Sequence, residues 1–113
     1  MQRRLRLRES SDFLRLRKDG MVKRHPALMI SYSPNSLEEN RYGFITAKNL
    51  GKAVKRNRVR RLMREAVRLQ HPLWQQGYDV VFIARPAAVG QPFQEIQRII
   101  IELANRAGLA LKD

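Results

Sequence analysis

Lys52-Ala53-Val54-Lys55-Arg56-Asn57-Arg58-Val59-Arg60-Arg61-Leu62-Met63-Arg64-Glu65-Ala66-Val67-Arg68 is the stretch from which the fold and the charge of this chain are both read. At about 100° per residue, Val59, Leu62, Met63, Ala66 and Val67 fall within one arc, the stripe of a helix that packs on a core. Asn57, Arg60, Arg61, Arg64 and Arg68 fall on the opposite arc, while Arg56 lies beside the stripe, where it can point along the helix into a neighbouring groove. His71-Pro72 ends the pattern, because proline offers no amide donor and restricts the residue before it. The segment holds eight basic residues and one acidic residue, Glu65. Pairs such as Arg56/Arg60, Arg60/Arg64 and Arg64/Arg68 each destabilise an isolated helix by roughly a few tenths of a kcal/mol, so something outside the helix is expected to offset them. Phosphates along a nucleic-acid backbone do this, and the planar arginine fork binds their oxygens bidentately. A solvated face normally mixes both signs, and this one almost does not.

Working outward, Tyr78 to Ala84 is nearly continuously apolar and β-branched, the pattern of an interior strand covered on both faces, and Pro86 ends it. Pro92 suits a first helical residue, and Ile96, Ile99, Ile100, Leu103, Ala104 and Ala107 repeat at helical spacing up to Gly108. Upstream, Arg41 to about Ala47 reads as a strand with Tyr42, Phe44 and Thr46 on one face and Gly43, Ile45 and Ala47 on the other. Ala27 to Tyr32 is a further strand, ended by the turn formers Ser33-Pro34-Asn35-Ser36. These two strands are expected to pair as a hairpin across the polar tip Leu37 to Asn40. Ser10 and Ser11 before Phe13, Leu14 and Leu16, with Gly20 after, predict a short helix with a serine cap and a glycine stop. Room remains for a short strand between Gly20 and Ala27. The order suits a single α+β domain over residues 1–113, one sheet covered by helices, with room for residues 1–8 to be a flexible basic segment.

The 113 residues carry 23 Lys and Arg against 10 Asp and Glu, a formal net charge of +13. Such an excess repels itself in the compact state and points to a polyanionic partner: RNA, DNA or an anionic membrane surface. The apolar runs are far short of the ~20 residues that span a bilayer. With no cysteine, disulfides, thiolate zinc sites and cysteine nucleophiles are excluded, and a cytoplasmic location is expected. The Arg-rich start resembles a transit peptide only until Glu9 and Asp12. An autonomous nuclease would need clustered carboxylates or paired histidines. His25 and His71 are far apart in sequence and read as surface residues, Glu38 and Glu39 as loop solubilisers, and Asp79 as a metal ligand only if the fold brings another acid beside it. A DNA-binding helix-turn-helix would pair the basic helix with another helix, whereas strands flank this one. A membrane-surface helix fits least, since the stripe lacks Trp and Phe.

Lys55 to Glu65 resembles the RNR signature of the bacterial ribonuclease P protein family, preceded as in that family by Gly43-Phe44, Lys48 and Gly51-Lys52-Ala53-Val54. Ser11-Asp12-Phe13 and the Asp79 to Arg85 strand extend the likeness over nearly the whole chain. The resemblance implies an αβββαβα sandwich with a left-handed βαβ crossover, a handedness that periodicity cannot give. It implies a protein subunit of ribonuclease P that binds the catalytic RNA and the 5′ leader of precursor tRNA. By the same resemblance the RNA would perform the Mg2+-dependent removal of the leader, with no cofactor required by the protein, no DNA partner and no membrane. By position, Lys52, Lys55, Arg56, Asn57, Arg58, Arg60, Arg61, Arg64 and Arg68 would face the catalytic RNA, and Phe13, Arg17, Tyr32 and Lys48 would belong to the leader cleft. Read from burial preference alone, Phe13 is equally a core residue of its helix. Two positions depart from the family pattern: Arg17 stands where a second aromatic is common, and Asn49 where a second lysine often follows Lys48. A general RNA-binding or ribosomal-type protein remains the alternative; it would use the basic helix but has no need of a cleft aromatic.

Overall fold

The computed structural model describes residues 2–7 and 10–111, with backbone alone for Arg3 and Ser10. The serine cap expected at Ser10 therefore lies outside the described residues. Helix α1 (Ser10–Asp19) is followed by β1 (Met21–Arg24), β2 (Leu28–Pro34), β3 (Arg41–Thr46), α2 (Ala53–Gln70), β4 (Tyr78–Ala84) and α3 (Phe93–Arg106), the αβββαβα order. The sheet runs β1-β2-β4-β3, with β4 antiparallel to β2 and parallel to β3.

The expected β2/β3 hairpin does not form. Asp79, Val80, Val81 and Phe82 of β4 are all buried, so β4 needs a neighbour on each edge and a helix layer on each face, and it takes the central place between β2 and β3. Parallel strands cannot be joined by a tight turn, and α2 is the crossover that connects β3 to β4. Asn35 and Asn40 shape the loop that carries the chain across. The Leu37 amide donates to Asn35 Oδ1 at 2.8 Å, and the Tyr78 amide donates to the buried Asn40 Oδ1 at 2.8 Å, tying the entry of β3 to the entry of β4.

Strand parity divides the interior in two. Leu28, Ile30 and Tyr32 of β2, Tyr42 of β3, and Val80, Phe82 and Ala84 of β4 face α2 and α3, where Val59, Met63, Ala66, Val67, Ile96, Ile99, Ile100, Leu103 and Ala104 close the main core. The opposite face carries α1 and a smaller cluster of Leu7, Leu16 and Val81, with Phe13, Ile45 and Ile83 packed against it. Residues 2–7 are docked: Arg6 bridges to Tyr42 in parallel, the Leu7 amide donates to the Tyr42 carbonyl at 2.8 Å, and Leu5 and Leu7 are buried in the two separate clusters. Arg8 and Glu9 lie outside the described residues.

Candidate nucleic-acid interface

With Val59, Met63, Ala66 and Val67 buried in the main core, α2 must turn its arginines outward in separate directions. Arg56, Arg60 and Arg64, four residues apart, form one half-buried row. Arg60 Nη2 donates to Thr46 Oγ1 at 2.5 Å and its Nη1 to Asn57 Oδ1 at 3.1 Å, so Asn57 and the end of β3 brace this guanidinium. Arg58 reaches the other way, to the Gln91 carbonyl at 3.3 Å, and Arg61 is exposed. Lys52 and Lys55 are exposed at the start of α2, where no side chain caps the helix and no acidic residue occupies the first turn. The partial positive charge of that helix end thus adds to the lysines. Arg68 differs, being held by Glu65 Oε2 at 3.0 Å and Oε1 at 2.6 Å.

No described carboxylate forms an ion pair with Arg56, Arg58, Arg60, Arg61 or Arg64. The Nε atoms of Arg56 and Arg64 are buried and have no hydrogen-bond partner among the described residues. A buried donor left so costs ~1–3 kcal/mol, which an incoming acceptor relieves. Burial first, and then the charges of Arg6 and Arg60, push the Arg64 guanidinium below its ordinary value. The row is a concentration of uncompensated positive charge at the edge of β3.

Phe13 joins that row to the sheet. A Cβ on Gly43 would stand 2.5 Å from Phe13 Cε1 and 2.7 Å from Cζ, so the ring lies directly on the glycine backbone. The same ring packs on the Leu7, Leu16 and Val81 cluster and helps Arg6, Gly43, Phe44, Arg60 and Arg64 line a recess of about 150 Å³. Core and cleft readings of Phe13 therefore describe different parts of one ring. On the far side of α1 lies a second groove of about 410 Å³, floored by Val22, Met29, Ile45 and Ile83, with the exposed Arg17 and Arg24 on its rim. Lys48 is exposed one residue beyond Ala47, which also lines this groove.

Tyr32 is a correction. It is 5% exposed and belongs to the main core, on the sheet face opposite α1, so it cannot line a cleft beneath that helix. Its neighbour Ser31 faces α1 instead, donating from Oγ to the Leu16 carbonyl at 2.8 Å. Arg6, Gly43 and the aliphatic floor were missed as site residues. The alternation Arg4-Leu5-Arg6-Leu7, a period of two, was the available signal for a docked edge segment.

The acidic and histidine residues are distributed as structural partners. Both Asp79 oxygens are engaged by Arg15, Arg41 and Asn35. Glu39 pairs with Arg4 and Glu95 with Arg98. His71 is half-buried rather than a plain surface residue, its Nδ1 2.7 Å from the Tyr42 hydroxyl, while His25 faces Glu102. Among the described residues no three His, Asp or Glu side chains stand together as a metal cage. None of the described helices is long and apolar enough to cross a membrane.

The family model described as Ribonuclease P matches residues 1–108. The chain is 44% identical over 110 residues to the ribonuclease P protein component of Roseiflexus castenholzii, covering 96% of this chain and 90% of that protein. It is 43% identical over 110 residues to the Chloroflexus aggregans ribonuclease P protein component, covering 96% and 82%. The fold superposes on the RNase P protein of Staphylococcus aureus with a TM-score of 0.87 at 25% identity, covering 95% of this chain and 98% of that one. For the RNase P protein of Thermotoga maritima the TM-score is 0.83 at 27% identity, covering 89% and 96%. A match across nearly the whole length, in sequence and in fold, leaves one conclusion: the chain belongs to the ribonuclease P protein component family.

Proposed function

We propose that this chain binds the catalytic RNA of ribonuclease P through the arginine row of α2 and the 5′ leader of precursor tRNA beside α1, assisting leader removal in tRNA maturation. The observation that carries the reading is the row Arg56, Arg60 and Arg64, which no described carboxylate pairs and in which the Nε atoms of Arg56 and Arg64 lack a partner among the described residues, running up to a phenylalanine ring laid on Gly43. Guanidiniums supply phosphate contacts of any sequence, and an aromatic wall supplies stacking worth ~1–3 kcal/mol per base, again without a required sequence. Single-stranded RNA is the ligand that uses both at once. Arg17, in place of an aromatic, gives the second groove a phosphate and cation–π character, with aliphatic rather than aromatic walls. The phosphodiester hydrolysis and its Mg2+ belong, in this proposal, to the RNA subunit, and the location is the cytoplasm.

The test is the salt dependence of binding to a bacterial ribonuclease P RNA. Arg60→Ala and Arg64→Ala should each weaken binding and each flatten the slope of log K against log salt by ~1, one phosphate contact apiece. Slopes identical to the wild type would remove the row from the RNA surface.

A further inference from the structure

The proposed leader reading leaves open what holds α1, and with it Phe13 and Arg17, at its angle over the sheet. Apolar contact supplies little. The cluster beneath α1 contains three buried side chains, Leu7, Leu16 and Val81, with Phe13, Ile45 and Ile83 partly buried against it, beside the long roster of the main core, and Leu14 of α1 is exposed. The carboxyl-terminal end of α1 is pinned by the Ser31 hydroxyl and the Gly20 amide, both donating to the Leu16 carbonyl. Among the described residues, no comparable backbone bond pins the first two turns to the sheet.

Asp79 does so through charge. Its side chain is fully buried on the α1 face of β4. Arg41 on β3 binds it as a fork, Nε to Oδ1 at 2.9 Å and Nη2 to Oδ2 at 2.8 Å, and Asn35 Nδ2 donates to Oδ1 at 3.0 Å. Arg41 alone would neutralise the carboxylate. The second guanidinium, Arg15, comes from the middle of α1 and donates from Nη2 to Oδ2 at 2.7 Å. Asp12, in the first turn of α1, stands 3.9 Å from Arg15 and 3.8 Å from Arg41 and balances the extra positive charge. Two carboxylates and two guanidiniums thus alternate across the gap between helix and sheet. Asp12 is adjacent to Phe13, and Arg15 lies two residues before Arg17, so the clamp grips the helix between the walls of the two grooves.

We infer that Asp79, Arg15 and Asp12 are positioning residues for leader recognition: a charge clamp on the buried Asp79 that fixes α1 over the sheet and sets where Phe13 and Arg17 meet RNA. The inference rests on the proposed leader reading. Asp79 touches no RNA in this account, and Arg15, with 38% of its side chain exposed, commits its guanidinium to Asp79.

The experiment uses holoenzyme reconstituted from a bacterial ribonuclease P RNA and wild-type, Arg15→Met, Arg15→Lys or Asp79→Asn protein. The leader preference is the ratio of Kd for mature tRNA to Kd for precursor tRNA, measured over a salt series. Arg15→Met leaves Asp79 paired with Arg41, so the protein folds; its leader preference should fall ~5-fold or more, the lower end of one stacked base, with an unchanged salt slope. Arg15→Lys, which keeps a donor for Oδ2, should recover most of the preference. Asp79→Asn removes a negative charge, so electrostatics alone predicts tighter leader binding, whereas a lost clamp predicts weaker preference. An unchanged preference in Arg15→Met would overturn the inference. A slope flatter by ~1 would overturn it in favour of a direct phosphate contact by Arg15. A wild-type holoenzyme with no leader preference would sink the leader reading itself, an outcome distinct from either variant result.

Discussion

Replacing Gly43 by alanine should be harmful only while Phe13 is present. Carbon atoms pack at ~3.5–4.0 Å, so a Cβ placed 2.5 Å from Phe13 Cε1 requires about 1 Å of movement by the ring or by β3. If the ring stays, overpacking costs ~1–3 kcal/mol of stability. If it moves, part of that cost becomes lost stacking on the leader, up to the ~1–3 kcal/mol that one base contributes. A glycine in a strand interior is itself unfavourable by roughly 0.5–1 kcal/mol relative to alanine, so without the ring the substitution should be neutral or stabilising. The assay is a double-mutant cycle over Gly43→Ala, Phe13→Ala and the pair, read by chemical denaturation and by leader-bearing against mature tRNA affinity. A coupling of at least ~1 kcal/mol summed over the two readouts is expected. An identical effect of Gly43→Ala in both backgrounds would refute the ring-on-glycine account of the cleft.

Val54, in the first turn of α2 and 80% exposed, should respond with opposite signs in two assays. Val54→Glu should stabilise the protein by ~0.3–1 kcal/mol through the helix dipole and weaken catalytic-RNA binding; unchanged RNA affinity would put the start of α2 off the RNA surface. Burial, above all, lowers the proton affinity of His71 below its usual value of 6.5, and its Nδ1 stands 2.7 Å from the Tyr42 hydroxyl, which accepts from Asn40. The unfolded chain then binds the proton more readily than the folded one, so stability is full above pH ~6.5 and falls as pH drops through that value. His71→Gln should make the denaturation midpoint less sensitive between pH 7.5 and 5.5; equal sensitivity in both proteins would place the titration elsewhere.

Much of this architecture is legible in the chain because helices announce themselves locally. The stripe Val59, Met63, Ala66, Val67 is buried as its spacing requires, and so are Ile96, Ile99, Ile100, Leu103 and Ala104. Strand neighbours are set by the whole fold, which is why the hairpin expectation failed: two strands close in sequence were parted by a third that arrives after an 18-residue helix. The continuous apolar run of β4 already implied two partners, and they are the two strands of the expected hairpin, one on each edge. Tyr32 was misplaced for a related reason. With both sheet faces covered by helices, β2 shows no clean alternation, and its parity becomes visible only when Ser31 is seen bonded to α1. The basic row could be read because charge pattern and helical period coincide. The Asp79 clamp could not, since its members come from α1, β3 and β4 and share no sequence spacing.

The central claim is that this chain acts as the protein subunit of a ribonucleoprotein whose RNA does the chemistry. Its most direct test is cleavage of a precursor tRNA at low magnesium by a bacterial ribonuclease P RNA, with and without this protein, beside the protein alone. Strong stimulation in the mixture only, yielding correct 5′ ends, is the predicted result; no stimulation with a well-matched RNA, or cleavage by the protein alone, would contradict it.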